Sequence, residues 1–231
     1  VETIHIQSFV TAPPQAVWER LLGRSDIVLD ALPVAAWPDR REERAPSRLL
    51  VHWPHGPGGR PTSVEIQLEP VSGGTRVDLR HDGWEAAPGA DDAIAGHFAG
   101  WLQALAALGL LVETGKDPRA SSAALTGRER YFASAEVPAG AAAVYRALTD
   151  ADVLARWSQG ALEGAEVKEV VDGHFVRWSL PAPQGAPGEL VMILRRTPRG
   201  THCALAEYGV SGRTASSRWP AMLERLATFL R

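Results

Sequence analysis

Apolar and polar residues alternate over several short stretches of the chain. In "TIHIQSFV", Ile4, Ile6, Ser8 and Val10 share one face. In "SRLLVHW", Leu49, Val51 and Trp53 oppose Leu50 and His52. In "TSVEIQLEP", Val64, Ile66 and Leu68 oppose Glu65, Gln67 and Glu69. In "GGTRVDLRHDGW", Val77 and Leu79 oppose Arg76, Asp78 and Arg80. A period of two predicts strands of an antiparallel sheet with one wet face. The last stretch holds an anomaly: its apolar face continues into His81. A second set, "HFVRWSL" and "ELVMILRR", also reads as strands. The latter is apolar on both faces, which predicts cover on its outer side as well.

Helical spacing appears in four places. Val17, Trp18, Leu21 and Leu22 follow Pro13-Pro14, and Val144, Tyr145 and Leu148 follow Pro138. Proline suits a first helical turn, where the N–H has no intrahelical partner. Phe98, Trp101, Leu102, Leu105, Leu108 and Val112 form a long stripe after Asp91 and Asp92. Trp219, Met222, Leu223, Leu226 and Phe229 form another, with Ser216 or Ser217 as a cap and Pro220 in the first turn.

These elements recur in order. "APPQAVWERLL" resembles "PAGAAAVYRAL", and "HWP" (His52–Pro54) falls on "RWS" (Arg177–Ser179). "GTRVDLRHDG" falls on "GTHCALAEYG", so His81 matches Glu207. "GWLQALAAL" falls on "RWPAMLERL", so Trp101 matches Trp219. We read two copies of one unit, 1–116 and 128–231, the second shortened, with a linker over 117–127. The expected class is α+β: tandem domains, each an antiparallel sheet curved around a long C-terminal helix.

Composition changes this picture little. The chain has 231 residues, 45% hydrophobic and 22% charged, enough for a core in each unit. One cysteine, Cys203, excludes an intrachain disulfide and a cysteine-based zinc site. A net charge of −3 argues against a nucleic-acid partner. Residues 1–118 carry 16 acids and 10 bases, so the positive charge lies mostly in the second half. No run of 18 apolar residues predicts a membrane span. "VETIHIQSFV" lacks the basic start and apolar stretch of a signal peptide, so a cytoplasmic location is expected.

The segments "APPQAVWERL", "LTDADVLARW", "GGTRVDLRHDGW" and "GWLQALAALGLLVETG" resemble the START-like helix-grip (SRPBCC) superfamily. Within it they are most similar to the branch named for the activator of the Hsp90 ATPase, the AHSA1-like domains. The resemblance implies an apolar cavity between the curved sheet and the last helix. Some members bind lipids or other small apolar molecules, some are polyketide cyclases or aromatases, and some assist a chaperone. "TDxxxLxxW" is intact at Thr149–Trp157, whereas the first copy has "GRSDIVLDAL" instead.

Candidate ligand-binding residues follow from position. Leu79 and His81, and Leu205 and Glu207, point to the concave side of their sheets. Trp53, Trp101, Trp178 and Trp219 either wall a cavity or fill a core. His81 or Glu207 anchors a ligand or moves a proton, or else is a strand-end residue reaching water. His97, near the start of the closing helix, is expected to be solvated. "HWPH" lacks metal-ligand spacing, so no metal and no cofactor are expected. Cys203 reads as a buried, unactivated thiol. The leading expectation is non-enzymatic binding of a small apolar ligand. A cyclase or aromatase using His81 or Glu207, and a chaperone-associated interaction module with a protein partner or homodimer, are the alternatives.

Overall fold

The computed structural model describes residues 3–23, 41–53, 61–85, 90–118, 130–181, 188–209 and 215–231. The linker expected at 117–127, the "GRSDIVLDAL" segment and His55 lie mainly or wholly outside them. The chain divides into two compact units, Val1–Asp117 and Pro118–Arg231.

The first unit runs β1 (Ile4–Val10), α1 (Pro14–Gly23), β2 (Arg41–Arg44), β3 (Arg48–Trp53), β4 (Thr62–Val71), β5 (Gly74–Asp82) and α2 (Ala90–Thr114). Its antiparallel sheet has the order β1-β5-β4-β3-β2. The alternation read from the sequence is the burial pattern observed. Ile4, Ile6, Val64, Ile66, Leu68, Val77 and Leu79 are buried, and Trp101, Leu105 and Leu108 of α2 join their cluster. The opposite face carries ion pairs such as Arg48–Glu65 and Arg76–Glu69.

Two expectations for α2 change. Phe98 is 42% exposed, where it lines an open groove with Ile4, Ile94 and Asp91. Every residue from Gln103 to Leu111 is buried, so burial exceeds one stripe. By length and composition α2 would be apolar enough to cross a bilayer. Trp101, Leu105 and Leu108 packed on the sheet account for much of that apolarity.

The second unit runs β6 (Arg130–Val137), α3 (Ala141–Thr149), α4 (Ala151–Ser158), β7 (Glu166–Val171), β8 (Phe175–Leu180), β9 (Gly188–Thr197), β10 (Gly200–Tyr208) and α5 (Ala215–Phe229). Its sheet order, β6-β10-β9-β8-β7, repeats the pattern of the first. Val176, Trp178, Leu190, Met192, Leu194, Cys203 and Leu205 form the inner layer with Trp219, Met222, Leu223 and Leu226 of α5. The outer-face residues Phe175, Val191, Ile193, Ala204 and Ala206 are buried too, as the apolar run in β9 requires. Asp150 caps α4 by accepting from the Asp152 and Val153 amides, and the Trp157 indole N–H donates to the Ala147 carbonyl at 2.8 Å. The start of α5 at Ala215 places Ser216 and Ser217 in its first turn rather than at the cap.

A Gly-Thr pair fixes the same corner in each unit. Thr75 Oγ1 donates to the Ala12 carbonyl at 2.6 Å, and Thr201 Oγ1 to the Ala139 carbonyl at 2.7 Å. A Cβ at Gly74 would lie 2.2 Å from the Val10 oxygen, and one at Gly200 2.2 Å from the Val137 oxygen. Gly200 also has φ +140. Gly200→Ala is therefore expected to destabilise the second unit by more than about 2 kcal/mol in urea titration. Gly173→Ala shares the strained φ (+68) but meets open space, so it should cost about 1 kcal/mol. Equal losses would show that the close approach is not limiting.

Candidate functional site

The alternation of β5 carries Val77 and Leu79 inward, and the next inward residue is His81. It is 1% exposed. The closing helix meets it there: the Trp101 indole N–H donates to His81 Nδ1 at 3.0 Å. An Nδ1 that accepts leaves the ring proton on Nε2, which therefore donates to Thr62 Oγ1 at 3.0 Å. The Trp84 indole N–H donates to the His81 carbonyl at 2.9 Å. The Trp84 and His97 rings stand 4.4 and 5.5 Å from that of His81. His97 is thus half-buried within this ring cluster, not solvated as expected. Burial pushes the His81 ring down to about 3, and charge on His97 acts in the same direction. His81 is a neutral imidazole with both nitrogens engaged.

The second unit solves the same junction with different chemistry. Glu207 sits on the inner face of β10, half-buried, opposite Tyr131 on β6 and Leu190 on β9. The fully buried Trp219 of α5 donates its indole N–H to Glu207 Oε2. The Arg218 guanidinium lies over the Trp219 ring, 4.4 Å from its centre. Leu205 and Cys203 complete the inner side of β10, both fully buried. Burial pushes the Cys203 thiol up, away from the reactive thiolate. The folded chain is expected to give no colour with Ellman's reagent until denaturant is added; a fast reaction would place the thiol at the surface.

Trp178 is the outlier. It is 1% exposed in the apolar layer with Leu190 and Trp219, and its indole nitrogen has no acceptor among the described residues. A buried donor left this way costs roughly 1–3 kcal/mol. It shares a row across the sheet with Leu190, Glu207 and Tyr131. In the first unit the corresponding row is Val51, Val64, His81 and Ile4. Sheet register thus sets Val51 at the place of Trp178, whereas matching the letters "HWP" and "RWS" aligns Trp53. Trp53 pairs with Thr62 at the end of β3, and its side chain lies outside the described residues.

The structure therefore brings His81 to Trp101 and Glu207 to Trp219 by hydrogen bonds, with Leu79 and Leu205 in the adjoining cores. Sequence reading missed Trp84 and Thr62 as partners of His81. It also missed Arg177, 3% exposed on the outer face of β8 and paired with Glu169 and Glu189. Among the described residues no group of three His, Cys, Asp or Glu could hold a metal.

Residues 39–113, which span β2 to α2, match a family model described as activator of Hsp90 ATPase homolog 1-like protein. Over these residues the chain is similar to that family. No curated protein matches the chain. Several solved structures are similar to the chain at low identity. DynU16, from the dynemicin biosynthetic locus, is 16% identical over 100% of this chain and 96% of its own, with a TM-score of 0.43. The di-domain ARO/CYC protein StfQ of the steffimycin pathway is 10% identical over 98% and 97%, at 0.36. The Aha1 dimer from Colwellia psychrerythraea is 16% identical over 44% of this chain and 96% of its own, at 0.39. In the first unit the packed core and the indole hydrogen bond at His81 together tie α2 to the sheet.

Proposed function

We propose that the chain is a non-enzymatic binding protein that takes a small apolar ligand between sheet and closing helix. We also propose that it is built of two tandem AHSA1-like copies, 1–116 and 128–231, joined by a linker at 117–127. The shared strand order, the Gly-Thr corner and the strand-to-indole bond support the duplication. The observation that carries the binding reading is the Trp178 indole N–H. It lies in an apolar layer that supplies it no acceptor. Pockets that orient ligands are apolar, with a few placed polar groups of this kind.

The enzyme alternative, a cyclase- or aromatase-like reaction, falls to Glu207. His81 has both nitrogens engaged and little basicity. Glu207 is a half-buried carboxylate on the inner face, where a general base would stand.

Native mass spectrometry of the purified chain, together with displacement of the dye 1-anilinonaphthalene-8-sulfonate, tests the binding reading. A retained apolar mass, or saturable dye binding weakened by Leu205→Trp, is the expected result. Failure to retain or bind any hydrophobe would overturn it.

A further inference from the structure

Among the described residues, four strands lie at sheet edges: β1 and β2 in the first unit, β6 and β7 in the second. An edge strand offers an open row of backbone donors and acceptors, and charge or a bulge usually guards it. β2 is Arg-Glu-Glu-Arg. β7 carries Glu166, Lys168 and Glu169, with a register shift between Val167 and Glu169. β6 carries Arg130 and Glu136. β1, Ile4–Val10, has no acid, lysine, arginine, proline or register shift. It pairs with β5 on one side, and among the described residues no strand pairs with its other side. Exposed aromatic rings flank this unguarded edge. Phe9 projects from the outer face, 39% exposed, and Phe98 of α2 stands beside Ile4 on the inner side at 42%.

Such an edge can accept an extended segment of another chain. The strand itself specifies which one. Antiparallel pairing of β1 with a second β1, across a two-fold axis at Gln7, engages all 7 residues. Ile4 then faces Val10 of the other copy, His5 faces Phe9, Ile6 faces Ser8, and Gln7 faces Gln7. Every inward residue meets an inward residue, so the apolar faces lie on the same side of the joined sheet. No position sets like charges against each other, and the His5 imidazole is already committed to Asp78 at 2.9 Å. Both exposed rings gain cover. Phe9 lies against His5 of the other copy, and the groove beside Ile4 and Phe98 receives the Val10 end of that copy's strand. We propose that the chain dimerises by pairing β1 edges, which joins the 5-stranded sheets of two copies into one. The pairing is independent of any ligand.

Sedimentation equilibrium of the full chain is expected to show a dimer. Gln7 is the position that faces itself, so a charge placed there opposes its own copy. Gln7→Lys should weaken the dimer about 5-fold. Gln67→Lys is the matched control. Gln7 on β1 and Gln67 on β4 flank the same Asp78 from opposite sides, and both are exposed. Gln67 lies away from the edge, so its variant should dimerise like the parent. Gln7→Cys tests the register directly. Opposed residues of an antiparallel pair have Cα atoms about 4.5–5.5 Å apart, within disulfide range. Mild oxidation should link Gln7→Cys into a covalent dimer and leave Gln67→Cys monomeric on a denaturing gel, while the buried Cys203 stays silent. If Gln7→Lys misfolds, the crosslink decides. A monomeric parent would overturn the proposal. So would a dimer that Gln7→Lys leaves intact, a loss shared with Gln67→Lys, or equal linkage of the two cysteine variants.

Discussion

Trp219→Ala is expected to cost the second unit about 4 kcal/mol and to leave it largely unfolded at moderate urea. Trp219 is fully buried in the cluster that joins α5 to the sheet, with Met222, Leu223 and Leu226. Truncating a tryptophan in such a layer removes its transfer free energy and leaves a cavity, together about 3–5 kcal/mol. The change also strips Glu207 of the donor that engages Oε2 and removes the ring beneath Arg218. Trp219→Phe removes the donor while keeping an aromatic ring in the layer. It keeps a six-membered ring but loses the N–H and part of the indole, so a loss of about 1–3 kcal/mol, less than for alanine, is expected. Chemical denaturation followed by far-ultraviolet circular dichroism reads both, with the two units treated as separate transitions. An alanine variant within about 1 kcal/mol of the parent would mean that α5 is not held through this ring.

Acid is expected to unfold the first unit through His81. The folded ring titrates near 3 because it is buried, whereas an unfolded histidine titrates near 6.5. Above pH 6.5 both states are neutral, and the full stability is present. Below it the unfolded chain gains a proton that the folded ring refuses, so stability falls as pH drops toward 3. The slope approaches about 1.4 kcal/mol per pH unit, which amounts to several kcal/mol over the window. Protonated His97, 5.5 Å away, adds repulsion of the same sign. His81→Gln supplies a non-titrating group that can accept from Trp101 and donate to Thr62. Its stability should vary much less between pH 6.5 and 4. Parallel pH profiles for parent and variant would remove His81 from the account. His202 in the second unit is also held below its usual value by burial, so the comparison must be a difference between the two chains.

Much of this arrangement was legible in the sequence, and the gaps have physical reasons. Alternation identified β1, β3, β4 and β5 because one face of that sheet is wet. It gave no hint of β2, "REER", or β7, "EVKEVV". These two edge strands carry charge on both faces and lose the period-two signal, which β1 at the opposite edge keeps. His81 stood out as a polar residue on an apolar face, but its partners depend on where α2 crosses the sheet, which no local pattern encodes. Thr62 lies on the neighbouring strand, and only the β4–β5 register brings it near. Trp53 and Trp178 are equivalent when "HWP" and "RWS" are aligned on their shared tryptophan. Pairing across the sheet is the stricter alignment, and it moves the equivalence to Val51.

The strand-to-indole bond also says what kind of change position 81 can absorb. Trp101 presents a proton and nothing else, so the partner must present a lone pair toward the helix. Histidine does so without charge, and glutamate does so at the same junction in the second unit with a carboxylate. Charge and basicity are therefore free to drift there. An aliphatic replacement would strand the indole, and lysine, which has only donors, would oppose it. The site behaves as a filter for acceptors, and its chemical variety is a consequence of how little the tryptophan asks.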